Sequence, residues 1–595
     1  MAALPNFILK RLYVKNSLAN TPDGCEFALR NFIGSGTLVG IGGIEVDGKA
    51  WTAEALEVVP PQGGARPGTA VTPDAPLPLD SGVAVIFRIR GARLAPGHHA
   101  LRIRLLTREM GMLDIAAGDD VFIERVSAHR VSEARPGTAP LPGTAPSEQP
   151  AEADPPRPAR PLRIAIIGAG STVFARQLMT DVLVTPGLEE GVFVLVDIDP
   201  RRLDLAARIG EKMISASGRR WKVEATASRQ KALPGCHYVI NSIEVAGLRN
   251  VRHDYDIPLR FGVDQCIGDT IGPGGIFKML RTGPAWLEIL RDVETHCPSA
   301  VVMNYTNPMS ALTLLALRAT GLAVVGLCHS VLNTAEQIAG YLDVPPAELL
   351  FQCAGINHLA WYTELTCRGE DMYPRLRERA KDPEVYDADP IRFEVLKHFG
   401  AFVTESSGHL SEYLPYFRKR PELVATYTRG GYRGESGFYA NNWPSWRAGG
   451  DESIRDVLDG RASLSMQRSD EYASTIIQSI EVGGARVVHG NVRNDGLIDN
   501  LPHGGCVEVP VLVDPTGMHP VHFGPLPVQM AALDRTHAAV HELMVEAILE
   551  RSAQAARYAL LLDPLTAAVC SPEEASAMFD EMWKAERVDL AYFER

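Results

Sequence analysis

The chain has 595 residues, 46% hydrophobic and 22% charged, with a formal net charge of −13. That length outgrows a single hydrophobic core and calls for two or more domains, and the composition excludes disordered and fibrous classes. An acidic balance with no basic run, and no basic stripe interleaved with aromatics, excludes nucleic acid as a partner.

The N-terminus, Met1 to Phe7, lacks a basic region followed by an apolar run, so no secretory signal is expected. Nine scattered cysteines do not form a disulfide framework. The longest apolar stretch, Ala311 to Cys328, is broken by Arg318 and Gly321 and does not span a membrane. A cytoplasmic protein with reduced thiols is the expectation.

Up to residue 133, polar and apolar residues alternate, as in Leu101-Arg102-Ile103-Arg104-Leu105, with a turn signal at Asp47-Gly48. This predicts a small antiparallel β-sandwich as an accessory domain. Residues 134–161 hold nine prolines and repeat Pro-Gly-Thr-Ala-Pro, a composition that predicts a semi-extended linker. Over 162–350, short apolar strands at Arg163–Gly168, Val192–Val196, Tyr238–Asn241, Ala300–Asn304 and Ala323–Leu327 alternate with helical segments. They predict an α/β domain with a Rossmann-like, doubly wound parallel sheet. From 351 to 595 the order turns mixed, which predicts an α+β domain packed inseparably with the first.

Ile167-Gly168-Ala169-Gly170-Ser171-Thr172 joins the first of these strands to a helix starting near Val173. Gly168 and Gly170 allow a tight turn and a close approach to a pyrophosphate, which Ser171, Thr172 and the helix N-terminus favour. Val173 replaces the usual third glycine and predicts a wider helix–strand contact. Asp197 stands 27 residues beyond Gly170 at the end of the second strand, where a carboxylate accepts ribose hydroxyls and repels the extra phosphate of NADP. The pattern predicts NAD; a glycine-rich turn in another α/β fold would read the same way.

Asn307, in Asn304-Tyr305-Thr306-Asn307-Pro308, offers a donor and an acceptor to a sugar hydroxyl, or simply shapes a turn before proline. Cys328 and His358 each follow an apolar segment and can hold a divalent ion with positions left open for water and substrate. Taken singly, such a cysteine also serves as a small hydrophobe and such a histidine as a core residue. The segment from Thr404 to Phe417 is dense in titratable groups, with Glu405, Glu412 and Tyr413 among them. A tyrosine there removes a carbon-bound proton only if a nearby cation lowers its pKa.

Seven segments together resemble glycoside hydrolase family four, the NAD- and metal-dependent glycosidases, and within it the melibiase-type subgroup. They are Ile167–Thr172, Gly268–Ile276, Asn304–Met309, Gly326–Val331, Ala354–His358, Phe402–Ser407 and Gly490–Gly496. The resemblance runs from about residue 162 to the C-terminus. It implies an α-galactosidase in which Cys328 and His358 bind Mn²⁺ or a similar ion, Asn307 contacts the sugar, Tyr413 is the base and His329 the proton donor. It further implies transient oxidation at carbon 3, proton abstraction at carbon 2, elimination and water addition, with NAD recycled. The same mechanism on α-glucosides or uronic-acid glycosides, and a NAD-dependent sugar dehydrogenase, are the competing readings. Small glycosides are the expected substrates and a homo-oligomer, dimer or tetramer, the expected assembly. The β-rich N-terminal part departs from the family pattern and weakly resembles small β-sandwich subunits of enzymes that cleave carbon-linked glycosides.

Overall fold

The computed structural model describes residues 160–594 throughout and, within 12–121, all but 14–16, 22, 31–35, 61–63, 80–83, 96 and 109–110. Most of the expected linker, 134–159, lies outside the described residues. The chain divides into two compact units, Met1–Asp154 and Pro155–Arg595.

The first unit is β-rich, with strands β1 (Ala19–Thr21), β2 (Gly24–Arg30), β3 (Gly36–Val46), β4 (Lys49–Trp51), β5 (Leu56–Val59), β6 (Arg66–Pro67), β7 (Leu77–Leu79), β8 (Ala84–Arg90), β9 (Gly97–Thr107) and β10 (Gly111–Val121). They form one five-stranded sheet in the order β1-β2-β8-β5-β6 and another, β10-β9-β3-β4, with β7 on β3. Alternation sets the faces: Phe27 and Leu29 of β2, Phe87 and Ile89 of β8, and Leu101, Ile103 and Leu105 of β9 are buried. The Asp47-Gly48 signal closes the β3–β4 hairpin, where Val46 pairs with Lys49 and both turn residues take positive φ, 50° and 79°.

The second unit is built on one thirteen-stranded sheet. Its strands are β11 (Leu162–Ile167), β12 (Glu190–Val196), β13 (Arg220–Thr226), β14 (Tyr238–Asn241), β15 (Val301–Asn304), β16 (Ala323–Leu327), β17 (Leu349–Ile356), β18 (Leu359–Cys367), β19 (Glu370–Asp371), β20 (Phe402–Val403), β21 (Arg486–Arg493), β22 (Cys506–Asp514) and β23 (Gly517–Pro520). The order is β13-β12-β11-β14-β15-β16-β21-β22-β17-β18-β19, with β20 on β18 and β23 on β22. From β13 to β16 every pair is parallel; from β16 onward every pair is antiparallel. The Rossmann-like half and the α+β half therefore share one sheet, joined where Leu327 faces Gly490.

The parallel strands are apolar because helices cover both faces. Tyr238–Asn241 is buried at every residue, whereas the edge strand Arg220–Thr226 buries only Trp221. Its polar alternation hid it in the sequence. The helix Gly272–His296 is buried over most of its length, as is one face of Val528–Leu549. No helix among the described residues is long and apolar enough to cross a membrane.

Candidate active site

The carboxyl ends of β11, β12, β13, β14 and β15 open onto a cleft of about 770 Å³. All five expected dinucleotide residues and Asn307 line it. Gly168 takes φ +86°, and a Cβ there would lie 2.6 Å from the Ser242 carbonyl. A Cβ on Gly170 would lie 2.5 Å from an Asp197 oxygen, so only glycine lets the turn close on that carboxylate. Asp197 accepts from the Gly170 N–H at 2.7 Å and the Asp199 N–H at 2.9 Å, which fixes it at the mouth of the cleft. Ser171 precedes the helix Thr172–Val184 and caps it with no side-chain bond, leaving the first-turn N–H groups available to an anion. This cradle fits a dinucleotide.

Two expectations change here. The Thr172 hydroxyl is taken by Asp451, to which it donates at 2.9 Å. Val173 does not widen a helix–strand contact: its side chain is exposed in the cleft, and the helix's phase turns it toward Gly450, where a Cβ would come within 2.7 Å of it.

The second group gathers at the seam of the sheet. Cys328 directly follows β16, and His358 sits in the turn between β17 and β18 with φ +64°. Cys328 Sγ and His358 Nε2 are 3.5 Å apart. Two donor atoms this close can ligate one divalent ion together. His358 Nδ1 and both side-chain polar atoms of Asn357 are buried without a partner. Burial, then Glu508, pushes the Cys328 thiol up, so an ion ligated there would displace a proton. Among the described residues, no three or more His, Cys, Asp or Glu side chains are grouped so that they could hold a metal ion. The pair fits an ion that keeps its remaining positions for water and substrate.

His329, next to Cys328, is half-exposed, and its Nδ1 meets Glu471 Oε1 at 3.0 Å. That hydrogen bond draws its pKa up to about 9. Tyr413 ends the helix Ser407–Tyr413; its ring lies 6.4 Å from His358, and its buried Oη has no partner. Burial first, then Asp269, Glu405 and Glu412, raise its pKa well above the ordinary value.

Glu412 is occupied elsewhere: its carboxylate accepts the backbone N–H groups of Cys266, Ile267 (2.6 Å) and Gly268 (3.2 Å). Glu405, held with φ +75°, faces the histidines; burial opposes its charge, but His358 and His409 outweigh it and hold its pKa at about 2.

Sequence reasoning missed a charged group lining the cleft. Asp269 Oδ2 accepts from Asn307 Nδ2 at 3.3 Å and from Lys278 Nζ at 3.3 Å, and Lys278 also reaches Glu244 at 3.1 Å. Burial works against the Asp269 carboxylate, yet Lys278 and then His409 hold its pKa well below the usual range. The available signal was a lysine set among the apolar side chains of Ile276, Phe277, Met279 and Leu280 in the helix Gly272–His296. Glu508 of β22, bonded to Asn491 of β21 at 3.3 Å, was also missed; its pKa is raised by burial.

Two family models match the second unit, "Family 4 glycosyl hydrolase" over residues 163–344 and "Family 4 glycosyl hydrolase C-terminal domain" over 353–566. A third, described as the N-terminal domain of hydroxymethylglutaryl-CoA reductase, matches residues 8–122. The chain is 38% identical to an α-galactosidase of Bacillus subtilis, across 71% of this chain and 98% of that one. It is equally 38% identical to an α-galactosidase of Rhizobium meliloti, across 71% and 87%. The 6-phospho-β-glucosidase of Thermotoga maritima, solved with manganese, NAD⁺ and glucose-6-phosphate, shares the fold with TM-score 0.60, 23% identity and coverage of 72% and 99%.

Proposed function

We propose that this chain, which belongs to family 4 of the glycosyl hydrolases, hydrolyses α-galactosides with NAD and a divalent ion, Mn²⁺ first among them. The observation that carries this reading is the Cys328–His358 pair, 3.5 Å apart, whose His358 charge is felt by the Asp269 carboxylate lining a cleft shaped for a dinucleotide. The 38% identity to α-galactosidases favours galactosides over the competing sugars.

When bound, the dinucleotide supplies reversible hydride acceptance and the ion supplies charge stabilisation for oxygens on the sugar. Cys328 and His358 would hold the ion, and Asn307, fixed on Asp269, would orient a sugar hydroxyl toward it. Transient oxidation at carbon 3 acidifies the proton on carbon 2, and Tyr413 Oη would take it. His329, oriented through Nδ1 by Glu471, would give its proton to the departing glycosidic oxygen. Burial of Tyr413 and His358 keeps bulk water from the proton being moved.

The test is release of nitrophenol from an aryl α-galactoside with NAD⁺, Mn²⁺ and a thiol reductant, run in deuterated water. Turnover without net NADH, lost on chelation, with deuterium entering at carbon 2, is expected. Accumulating NADH without nitrophenol would identify a dehydrogenase instead, and product free of deuterium would sink the proton-abstraction route.

A further inference from the structure

Three arginines line the cleft: Arg202, Arg229 and Arg447. Arg229 is paired with Asp292 at 2.7 Å, and Arg202 with Asp451. Among the described residues, no hydrogen bond or ion pair engages Arg447.

The position of Arg447 says what it faces. It lies on the helix Phe438–Leu458 one turn before Asp451, so the two side chains share a face. Asp451 accepts from Thr172 Oγ1 on the first turn of the helix Thr172–Val184. Arg202, its ion-pair partner, donates from Nε to the Gly170 carbonyl at 2.6 Å. Two guanidinium groups and one carboxylate therefore converge on the glycine turn and the helix N-terminus. Asp451 pairs with Arg202, whose charge Asp197 and Asp199 also favour, and among the described residues Arg447 is left with no ion-pair partner. Burial, then the like charge of Arg447, disfavours the charged form of Arg202. An anion bound between them would relieve that repulsion, and the helix N-terminus favours the same charge.

We infer that Arg447, acting with Arg202, is a further cofactor-binding residue that holds the diphosphate of the dinucleotide. This rests on the NAD reading above. The diphosphate is named, and not a ribose 2′-phosphate, because the charged trio touches Gly170 and Thr172, where the turn meets the helix. The ribose end is marked by Asp197, whose carboxylate would repel a phosphate there. The same helix face carries Tyr439 and Trp443, four-residue steps before Arg447, into the part of the cleft that holds Lys278 and Asp269.

Calorimetric titration of the full chain with NAD⁺ and NADP⁺ tests this. Replacing a charge-assisted contact of this kind, Arg447→Ala should raise Kd for both dinucleotides alike by about tenfold or more, with the unfolding midpoint unchanged. Arg447→Lys, which keeps the charge, should recover part of the loss. A Kd for NAD⁺ within about twofold of wild type would overturn the assignment, and so would a loss confined to NADP⁺, which would place Arg447 at the 2′-phosphate. Wild-type protein that binds neither dinucleotide would overturn the cofactor reading itself, a result distinct from intact binding by the variant.

Discussion

Single atoms decide whether the turn and the ion pair work. At Gly170 one added carbon meets the Asp197 carboxylate at 2.5 Å, so Gly170→Ala must push that carboxylate away from the cleft mouth. NAD⁺ titration should then show a Kd raised by about tenfold or more. Cys328→Ser exchanges the thiolate for a weak ligand beside His358. Manganese-dependent turnover should fall below detection while circular dichroism stays that of the wild type. Tyr413→Phe removes only the orphaned hydroxyl, and kcat should drop by about 10² to 10⁴ with KM little changed and carbon-2 exchange abolished. Comparable activity in Tyr413→Phe would move the base elsewhere, and Glu405, held ionised at the histidines, is where the charge resides. At this scale the sequence was informative wherever residues lay inside one short segment, as in Gly168–Thr172. Asp269, Lys278 and Glu244 come from separate segments and carry no shared period, so their meeting could not be read before the fold.

Whole elements carry a pH dependence. The helix Val528–Leu549 buries His537 and His541, and burial lowers their pKa values to about 4 and about 3, from an ordinary 6.5. Both are neutral in the folded chain, so above pH 6.5 they cost nothing; as pH falls from 6.5 toward 4, the unfolded chain takes up protons that the native chain refuses. Stability is therefore lost across that window. His541→Leu removes a buried ring whose Nε2 has no partner, and urea unfolding should show a pH slope shallower by roughly 1.4 kcal/mol per pH unit there. An unchanged slope would mean that His541 is protonated in the native state. His537 Nε2 also bonds the Tyr413 carbonyl at 2.7 Å, tying this helix to the proposed base. The apolar strands of the parallel half were legible almost to the residue: Tyr238–Asn241 and Ala323–Leu327 match the expectation at both ends. Arg220–Thr226 was not, because an edge strand half in water looks like any polar segment.

On the scale of the whole molecule, every proposed site residue lies in the unit Pro155–Arg595, and the unit Met1–Asp154 has its own buried aromatic stack of Tyr13, Phe27 and Phe87. A chain of residues 160–595 should bind NAD⁺ with the wild-type Kd, and calorimetry of the full protein should resolve a second unfolding transition that this shorter chain lacks. Failure of the shorter chain to fold would show that the N-terminal unit is part of the catalytic body. The continuity of one sheet through both halves of the larger unit was hidden, since strand order across a crossover is not written in any local pattern.

Cys328 belongs to the parallel half of that sheet and His358 to the antiparallel half, with β21 and β22 lying between their strands. An ion shared by the two is thus a crosslink as well as a Lewis acid. Its binding energy would be partly folding energy: at a free concentration of about a hundred times its Kd it would add about 2.7 kcal/mol to the folded state. The enzyme's endurance in the heat would then follow the supply of manganese around it, and metal starvation would be felt first as fragility and only second as lost turnover.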